Sequence, residues 1–369
     1  MKIGILGTRG IPNQYGGFEE LAEQLSRRLV IKGHDVWVFA PVFKKAVSKQ
    51  VNGVHLLEIS IPRWLPGAVQ TLLYDYRSLV RASKQEFDVI LECGYGFSPM
   101  LLFFRKELRQ RIVTNMDGME WQRPKWGFVA RKFLQLSERL AVKYSHILVT
   151  DHPQIERYYL KTYGCASSLI SYGVDIQANT SSMPPFSNTK GYLLVVSRPE
   201  PDNSLAEILD AFKLSSCMRP LILVGNFTNR FGQKLQNEYA SSRAIFMGGI
   251  YDKVTLNQLR KESLLYLHGH QVGGTNPALL EAMACGCRIV ARNNVYNREV
   301  LGDGAAYFET VLDLVGVFNH IDEYVSTLNG RIEENIAVIQ NHYQWDIVAE
   351  KYEQLFLSVI ANQAGSTSD

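Results

Sequence analysis

The sequence predicts an α/β protein made of two consecutive Rossmann-like βαβ domains, and three observations predict it. A buried-strand pattern, Lys2-Ile3-Gly4-Ile5-Leu6, runs through a glycine-rich loop into a helical pattern and then a second strand, Val36 to Ala40. That order is a βαβ unit, and it implies a parallel sheet with helices on both faces. The alternation breaks at a Ser-, Pro- and Asn-rich stretch, Asn179 to Asn188, which reads as a linker. It restarts at Tyr192-Leu193-Leu194-Val195-Val196, and 369 residues suit two such cores better than one.

The first domain is expected over residues 1–175. Leu21, Leu25 and Leu29 recur at helical spacing, which places a helix at 17–31. Further strands are expected at 55–59, 89–92, 112–115 and 146–150, with helices at 72–84 and 128–144. The linker takes 176–190 and the second domain 191–344. Its strands are expected at 192–196, 221–224, 244–247, 264–268 and 288–291, and its helices at 204–213, 254–262 and from Pro277. A last helix, 345–361, follows the completed second sheet and is expected to pack back on the first domain, with a frayed tail from Gln363.

Composition narrows the class. With 46% hydrophobic and 20% charged residues the chain is globular, and no run reaches the roughly 18 apolar residues of a membrane span. The N-terminal apolar run is too short and too broken by glycine for a signal peptide. Five cysteines with no CxxC pair point to reduced thiols and a cytoplasmic location. The net charge of +3 hides an asymmetry: residues 1–172 carry 24 Lys and Arg against 15 Asp and Glu, and the remainder 15 against 21. The basic residues are interspersed rather than gathered into one arm or helix. Nucleic acid is therefore not the expected partner, whereas an anionic membrane surface or a phosphorylated lipid fits.

The densest stretch is Gly273-Gly274-Thr275-Asn276-Pro277-Ala278-Leu279-Leu280-Glu281. Asn276 suits a helix N-cap and Pro277 the first helical position. The amides that follow, with the helix dipole, would receive a phosphate or other anion, and the glycine pair lets backbone approach a ligand closely. Glu281, one turn in, could accept hydrogen bonds from sugar hydroxyls. The plain alternative is a loop, a capped helix and a surface acid.

Four other stretches could carry chemistry. The loop from Gly7 to Glu20 is too long for a GxGxxG turn, and no acid ends the second strand, which disfavours an NAD enzyme. Gly16-Gly17 at a helix start can still receive a phosphate; the alternative is a flexible loop. Asp117, in Asn115 to Arg123, could orient or deprotonate a hydroxyl, as could Glu120, against the alternative of a turn with a capping Asp. Beyond it, residues 123–133 interleave cations with aromatics, suiting a bilayer interface or a solvated helix face. In Ser197 to Asn203, Arg198 ends a strand where it could grip phosphate bidentately. In His268-Gly269-His270, neutral imidazoles could donate to a sugar or phosphate oxygen, and the neighbourhood lacks the further ligands a zinc site needs. There is no DxD, GxSxG, Walker loop or HExxH, and no metal is expected.

Taken together these stretches resemble the retaining nucleotide-sugar glycosyltransferases of GT-B architecture, family 4. The chain is most similar to a bacterial polysaccharide-building subgroup, several of whose members use dTDP-rhamnose. The likeness rests on Gly7-Thr8-Arg9-Gly10-Ile11-Pro12, Tyr15-Gly16-Gly17-Phe18-Glu19, Asp117-Gly118-Met119-Glu120-Trp121, Tyr172-Gly173-Val174-Asp175, Arg198-Pro199-Glu200 and the Gly273 to Met283 stretch. It implies two domains facing each other across a donor cleft, with closure excluding water. Gly16 and Gly17 would face the donor diphosphate, Arg198 would grip it, and Glu281 would bind the ribose. Gly274, Thr275 and Asn276 would approach the phosphates or the transferred sugar, and Asp117 would lie near the reacting centre. Arg9, Glu120 and Arg123 are assigned to the acceptor. Two positions depart from the family: Asn203 stands where a Lys is common, and Gly273 where a Glu is common, with His268 or His270 as candidate replacements.

The implied reaction moves a sugar, best matched by L-rhamnose from dTDP-rhamnose, to a lipid-diphosphate-linked saccharide in O-antigen or capsule synthesis. It would run with retention and without a metal cofactor, at the inner face of the cell membrane. A sugar-nucleotide epimerase of the same architecture and a non-catalytic nucleotide-sugar binder are the alternatives.

Overall fold

Short runs of branched apolar residues become strands here because both their faces are covered. The computed structural model describes residues 1–13, 16–43, 48–176, 191–240 and 243–366. Most of the expected linker, residues 177–190, lies outside them, as does Tyr15. The chain forms two units: Met1–Gln122, Trp126–Gly173 and Trp345–Asp369 make unit 1, while Arg123–Lys125 and Val174–Gln344 make unit 2.

Unit 1 opens with β1 (Lys2–Leu6), α1 (Gly17–Ile31) and β2 (Asp35–Val42), and continues with β3 (Ser48–Val51) and β4 (Val54–Ser60). Then come α2 (Gly67–Ala82), β5 (Val89–Cys93), α3 (Ser98–Leu102), β6 (Ile112–Asn115), α4 (Phe128–Tyr144), β7 (Ile147–Thr150), α5 (Pro153–Tyr163) and β8 (Ser168–Leu169). Leu21, Leu25 and Leu29 form the buried stripe of α1, each worth roughly 1.5–3 kcal/mol of burial. The eight strands lie in the order β3-β4-β2-β1-β5-β6-β7-β8, with only β3 and β4 antiparallel. Ile3 pairs with Val36 on one side and Val89 on the other.

Unit 2 repeats the theme with β9 (Leu193–Val196), α6 (Leu205–Leu214), β10 (Leu221–Val224), α7 (Arg230–Glu238), β11 (Ala244–Gly248), α8 (Lys253–Glu262) and β12 (Leu265–His268). It continues through α9 (Pro277–Ala284), β13 (Ile289–Arg292), α10 (Val295–Leu301), β14 (Ala305–Phe308), α11 (Val311–Asn319), α12 (Ile321–Asn329) and α13 (Ile332–Val338). Its sheet is wholly parallel in the order β11-β10-β9-β12-β13-β14. Leu193, Val195, Leu223, Leu265 and Leu267 build its core with Ile208 and Phe212 of α6.

The chain then returns to unit 1 as α14 (Trp345–Ser366). This helix runs through Gln363, where fraying was expected, and three residues beyond. Arg28 of α1 donates to Asp346 at 2.7 Å, His34 meets Glu353 at 2.7 Å, and Lys32 pairs with Glu350 and Glu353.

Candidate active site

In an open parallel sheet, ligands bind at the carboxyl ends of the strands where the order reverses, because the loops on either side of that point diverge and leave a crevice. In unit 2 the reversal falls between β9 and β12, which pair as Leu193 with Leu265 and Leu194 with Tyr266. His268 ends β12, and the loops leaving those two strands carry Arg198, Asn203, His270 and Gly273 to Asn276. Chain topology therefore brings together stretches about 70 residues apart.

Hydrogen bonds lock the two loops to each other. Gln271 N–H donates to the Asp202 carbonyl at 2.9 Å, and its side chain donates to Ser204 Oγ at 2.8 Å. Asn203, the position where a Lys is common in the family, is buried and donates to the Arg198 carbonyl at 2.8 Å, shaping the loop that presents Arg198. The Arg198 side chain is exposed and, among the described residues, has no hydrogen-bonded partner. His268 is 1% exposed and stacks on His270, ring centroids 4.6 Å apart. Burial holds the His268 pKa well below its usual value. His270 is lowered to about 3 by burial and by the charges of Arg198 and Arg123. Both rings are thus neutral, and both nitrogens of His268 and Nδ1 of His270 are buried without a protein partner.

Arg123 belongs to unit 2, where its Nε donates to Asp202 Oδ2 at 3.0 Å. Asp202 is 2% exposed, so this guanidinium serves a buried carboxylate, a role its sequence position does not reveal.

At α9 the cap forms in the expected way, with one difference. Asn276 Oδ1 accepts from Ala278 N at 2.9 Å, and its carbonyl accepts from Leu279 N at 3.0 Å. Pro277 has no N–H, so the amides after the cap are not free for an anion. Those of Gly274 and Asn276 have no backbone partner among the described residues. Thr275 is buried. Gly273 has φ +128°, a region that side-chain-bearing residues rarely adopt, with open space beside it. A carboxylate-bearing residue at this position would require a different backbone.

Glu281 is half-buried, and its Oε2 accepts from Nη2 of Arg260, which the sequence reading missed. Arg260 sits on α8 and is 1% exposed. No local pattern in Leu256 to Glu262 separates it from its half-buried neighbour Lys261.

In unit 1 the reversal falls between β1 and β5. Gly16 caps α1 with φ +130°, and a Cβ there would collide with the Glu19 carboxylate, whose Oε1 accepts from the Arg9 backbone at 2.9 Å. Glu19 and Glu20 place negative charge in the first turn, which already complements the dipole that a phosphate would use. Gly17 lies against the Tyr172 hydroxyl, and the Arg9 side chain is exposed.

Asp117 follows β6 with φ +50°, rare for a residue with a side chain, and such strain gathers at functional positions. Several bonds hold it there. Its N–H donates to Asn115 Oδ1 at 2.9 Å, and Asn115 donates to Tyr352 Oη of α14 at 2.9 Å. Tyr95 Oη accepts from Glu120 N at 3.1 Å, and Glu120 Oε1 accepts from Trp126 at 3.0 Å. The next residue, Trp121, donates to Glu138, a buried carboxylate that also accepts from Tyr158 and Tyr163, each at 2.7 Å.

Unit 1 also buries a pair of acids to which the sequence analysis gave no role. Asp75 on α2 and Glu92 on β5 are 7% and 3% exposed. Ser98 Oγ donates to Glu92 Oε1 at 2.7 Å, and Phe97 N donates to Asp75 Oδ2 at 3.2 Å. Burial pushes Asp75 up to about 7; burial and the neighbouring Asp75 push Glu92 up to about 8.

Comparison with known proteins adds two family matches. Residues 1–175 match the family described as Domain of unknown function (DUF1972), and residues 178–313 match Glycosyl transferases group 1. A search of curated proteins found no match. Among solved structures, the chain is similar to sucrose-phosphate synthase from Thermosynechococcus elongatus, with TM-score 0.78 and 13% identity over 98% of this chain and 99% of that one. It is also similar to an α,α-trehalose-phosphate synthase (UDP-forming) from Burkholderia vietnamiensis, with TM-score 0.74 and 12% identity over 97% and 100%. The catalytic domain of starch synthase IV from Arabidopsis thaliana, bound to ADP and acarbose, gives 0.73 and 13% over 98% and 99%. At such identities the likeness shows the fold, which is that of the GT-B enzymes. The group 1 domain identifies the activity: the chain is a glycosyltransferase.

Proposed function

We propose that this glycosyltransferase moves a deoxyhexose, best matched by L-rhamnose from dTDP-rhamnose, onto a lipid-diphosphate-linked saccharide with retention of configuration. The observation that carries the donor half is the reversal point of unit 2. There the unpartnered Arg198, the amides of Gly274 and Asn276, and Glu281 lie on loops or a helix that follow β9 and β12. A diphosphate brings charge that Arg198 matches bidentately, and the neutral His268 and His270 offer polar nitrogens without adding charge.

The leaving diphosphate takes the acceptor proton on the same face of the sugar as the new bond forms, and no metal enters. Catalysis rests on meeting the growing phosphate charge with donors already in place. Asp117, strained and tethered through Asn115, orients the acceptor hydroxyl.

The surface of unit 1 supports a lipid-linked acceptor at a membrane. Helix α3 packs on both α2 and α4. Exposed apolar residues flank all three helices: Trp64 before α2, Phe103 and Phe104 after α3, and Phe128 and Val129 at the start of α4. The cations near them in sequence, Arg63, Lys106, Arg131 and Lys132, are exposed too. Aromatics beside cations suit a bilayer interface with anionic headgroups. No helix among the described residues is long and apolar enough to cross a membrane, so attachment would be peripheral.

The test is calorimetric binding with a panel of nucleotide sugars, followed by transfer of radiolabelled sugar to a membrane lipid extract. Label in the lipid fraction from the dTDP-linked donor supports the proposal. Conversion of donor without acceptor identifies an epimerase, and binding without turnover identifies a binder.

A further inference from the structure

Arg260 is the largest fully buried side chain among the described residues. Its Nη1 donates to Asn257 Oδ1 at 2.9 Å and its Nη2 to Glu281 Oε2, while its Nε has no partner. A buried cation left incompletely satisfied is a poor device for stability, since an apolar side chain of similar volume usually serves as well or better. What the guanidinium does supply is direction. It fixes one oxygen of a carboxylate whose side chain is 32% exposed, and the other oxygen, Oε1, has no partner among the described residues. A free glutamate would have to freeze several torsions on meeting a ligand, and a tethered one has already done so.

We propose that Arg260 is the positioning residue for the nucleoside half of the donor, fixing Glu281 so that Oε1 is presented to a furanose hydroxyl. This rests on the reading that Glu281 binds the donor's furanose. Arg260 does not touch the ligand; its effect passes entirely through Glu281. The functional signature is therefore a coupling. The gain from a furanose hydroxyl depends on Arg260, whereas the gain from the diphosphate does not.

The full-length protein is titrated calorimetrically with UDP, dTDP, ADP and GDP. The tightest of these is then compared with its 2′,3′-dideoxy analogue in wild type, Glu281→Gln, Arg260→Gln and Arg260→Lys. In wild type the dideoxy compound binds roughly tenfold more weakly, as expected when a hydrogen bond to a charged acceptor is lost. In Arg260→Gln that difference shrinks to within about threefold, because the hydroxylated ligand loses affinity and the dideoxy one does not. A purely structural role for Arg260 would weaken both ligands equally and leave the ratio at its wild-type value, and that result overturns the proposal. If Arg260→Gln does not fold, Arg260→Lys decides. A lysine has no planar fork to bridge Asn257 and Glu281, so the ratio falls below wild type, and an unchanged ratio refutes the inference. Glu281→Gln separates the two layers. An unchanged ratio there removes Glu281 from the furanose site, whereas a collapsed ratio there with an intact one in both Arg260 variants removes Arg260 alone.

Discussion

Replacing Glu92 with Gln should make unit 1 more stable in mild alkali and remove most of its sensitivity to pH. The folded-state pKa of Glu92 is raised to about 8 from an ordinary 4.5, so between those values the folded protein holds a proton that the unfolded chain has released. Stability is then highest below the ordinary carboxylate range and falls as pH rises towards 8. Each pH unit in that window is worth about 1.4 kcal/mol, so wild type should lose about 4 kcal/mol between pH 5 and 8 through this one group. Asp75, raised to about 7, adds to the loss over the lower part of the range. Glutamine keeps the oxygen that accepts from Ser98 and carries no charge to release. At pH 5 the variant should therefore lie within about 1 kcal/mol of wild type, and the curves should diverge steadily above it. Urea unfolding followed by circular dichroism at half-unit steps of pH measures this. A wild-type stability that stays level or rises from pH 5.5 to 8, or two parallel curves, would refute the reasoning.

Three further outcomes follow from the site. Arg198→Ala should weaken nucleotide-sugar binding by more than tenfold; calorimetry showing unchanged affinity would remove Arg198 from the phosphate site. Asp117→Asn should lower transfer by roughly a hundredfold while donor affinity stays within about threefold, so a parallel loss of both would contradict its role at the acceptor hydroxyl. Because His268 and His270 are neutral, with His270 lowered to about 3, affinity for a nucleotide sugar should show no histidine step between pH 5 and 7. A step near pH 6.5 that disappears in His270→Asn would show that the ring titrates normally.

What the sequence revealed and what it hid follow one physical division. Buried parallel strands such as Ile112–Asn115 and Leu221–Val224 were legible because continuous apolar runs must be covered on both faces. The cap at Asn276 was legible because it is made by residues adjacent in the chain. Edge strand β3, with the sequence Ser-Lys-Gln-Val, has no such run and forms only by pairing with β4. The small helices α10 to α13 were also missed, since each packs on neighbours that periodicity does not specify. The sequence analysis assigned no role to Asp75, Glu92, Glu138, Asp202 or Arg260, and all five are buried. Their burial is decided by elements far away in the chain, and no local spacing records it.

The return of α14 to unit 1 has a consequence for synthesis on the ribosome. Tyr352, on the last helix, receives the bond from Asn115 that holds the Asp117 turn. All of unit 2 except Arg123–Lys125 is one continuous stretch that ends before α14 begins, so that stretch can fold while the final helix is still in the exit tunnel. The Asp117 turn, encoded in the first third of the chain, gains its contact with α14 only when residue 352 emerges. A chain released early would carry an almost complete unit 2 and an Asp117 turn that lacks the Tyr352 contact. On the function proposed above, such a nascent protein would bind a sugar nucleotide before it could use it.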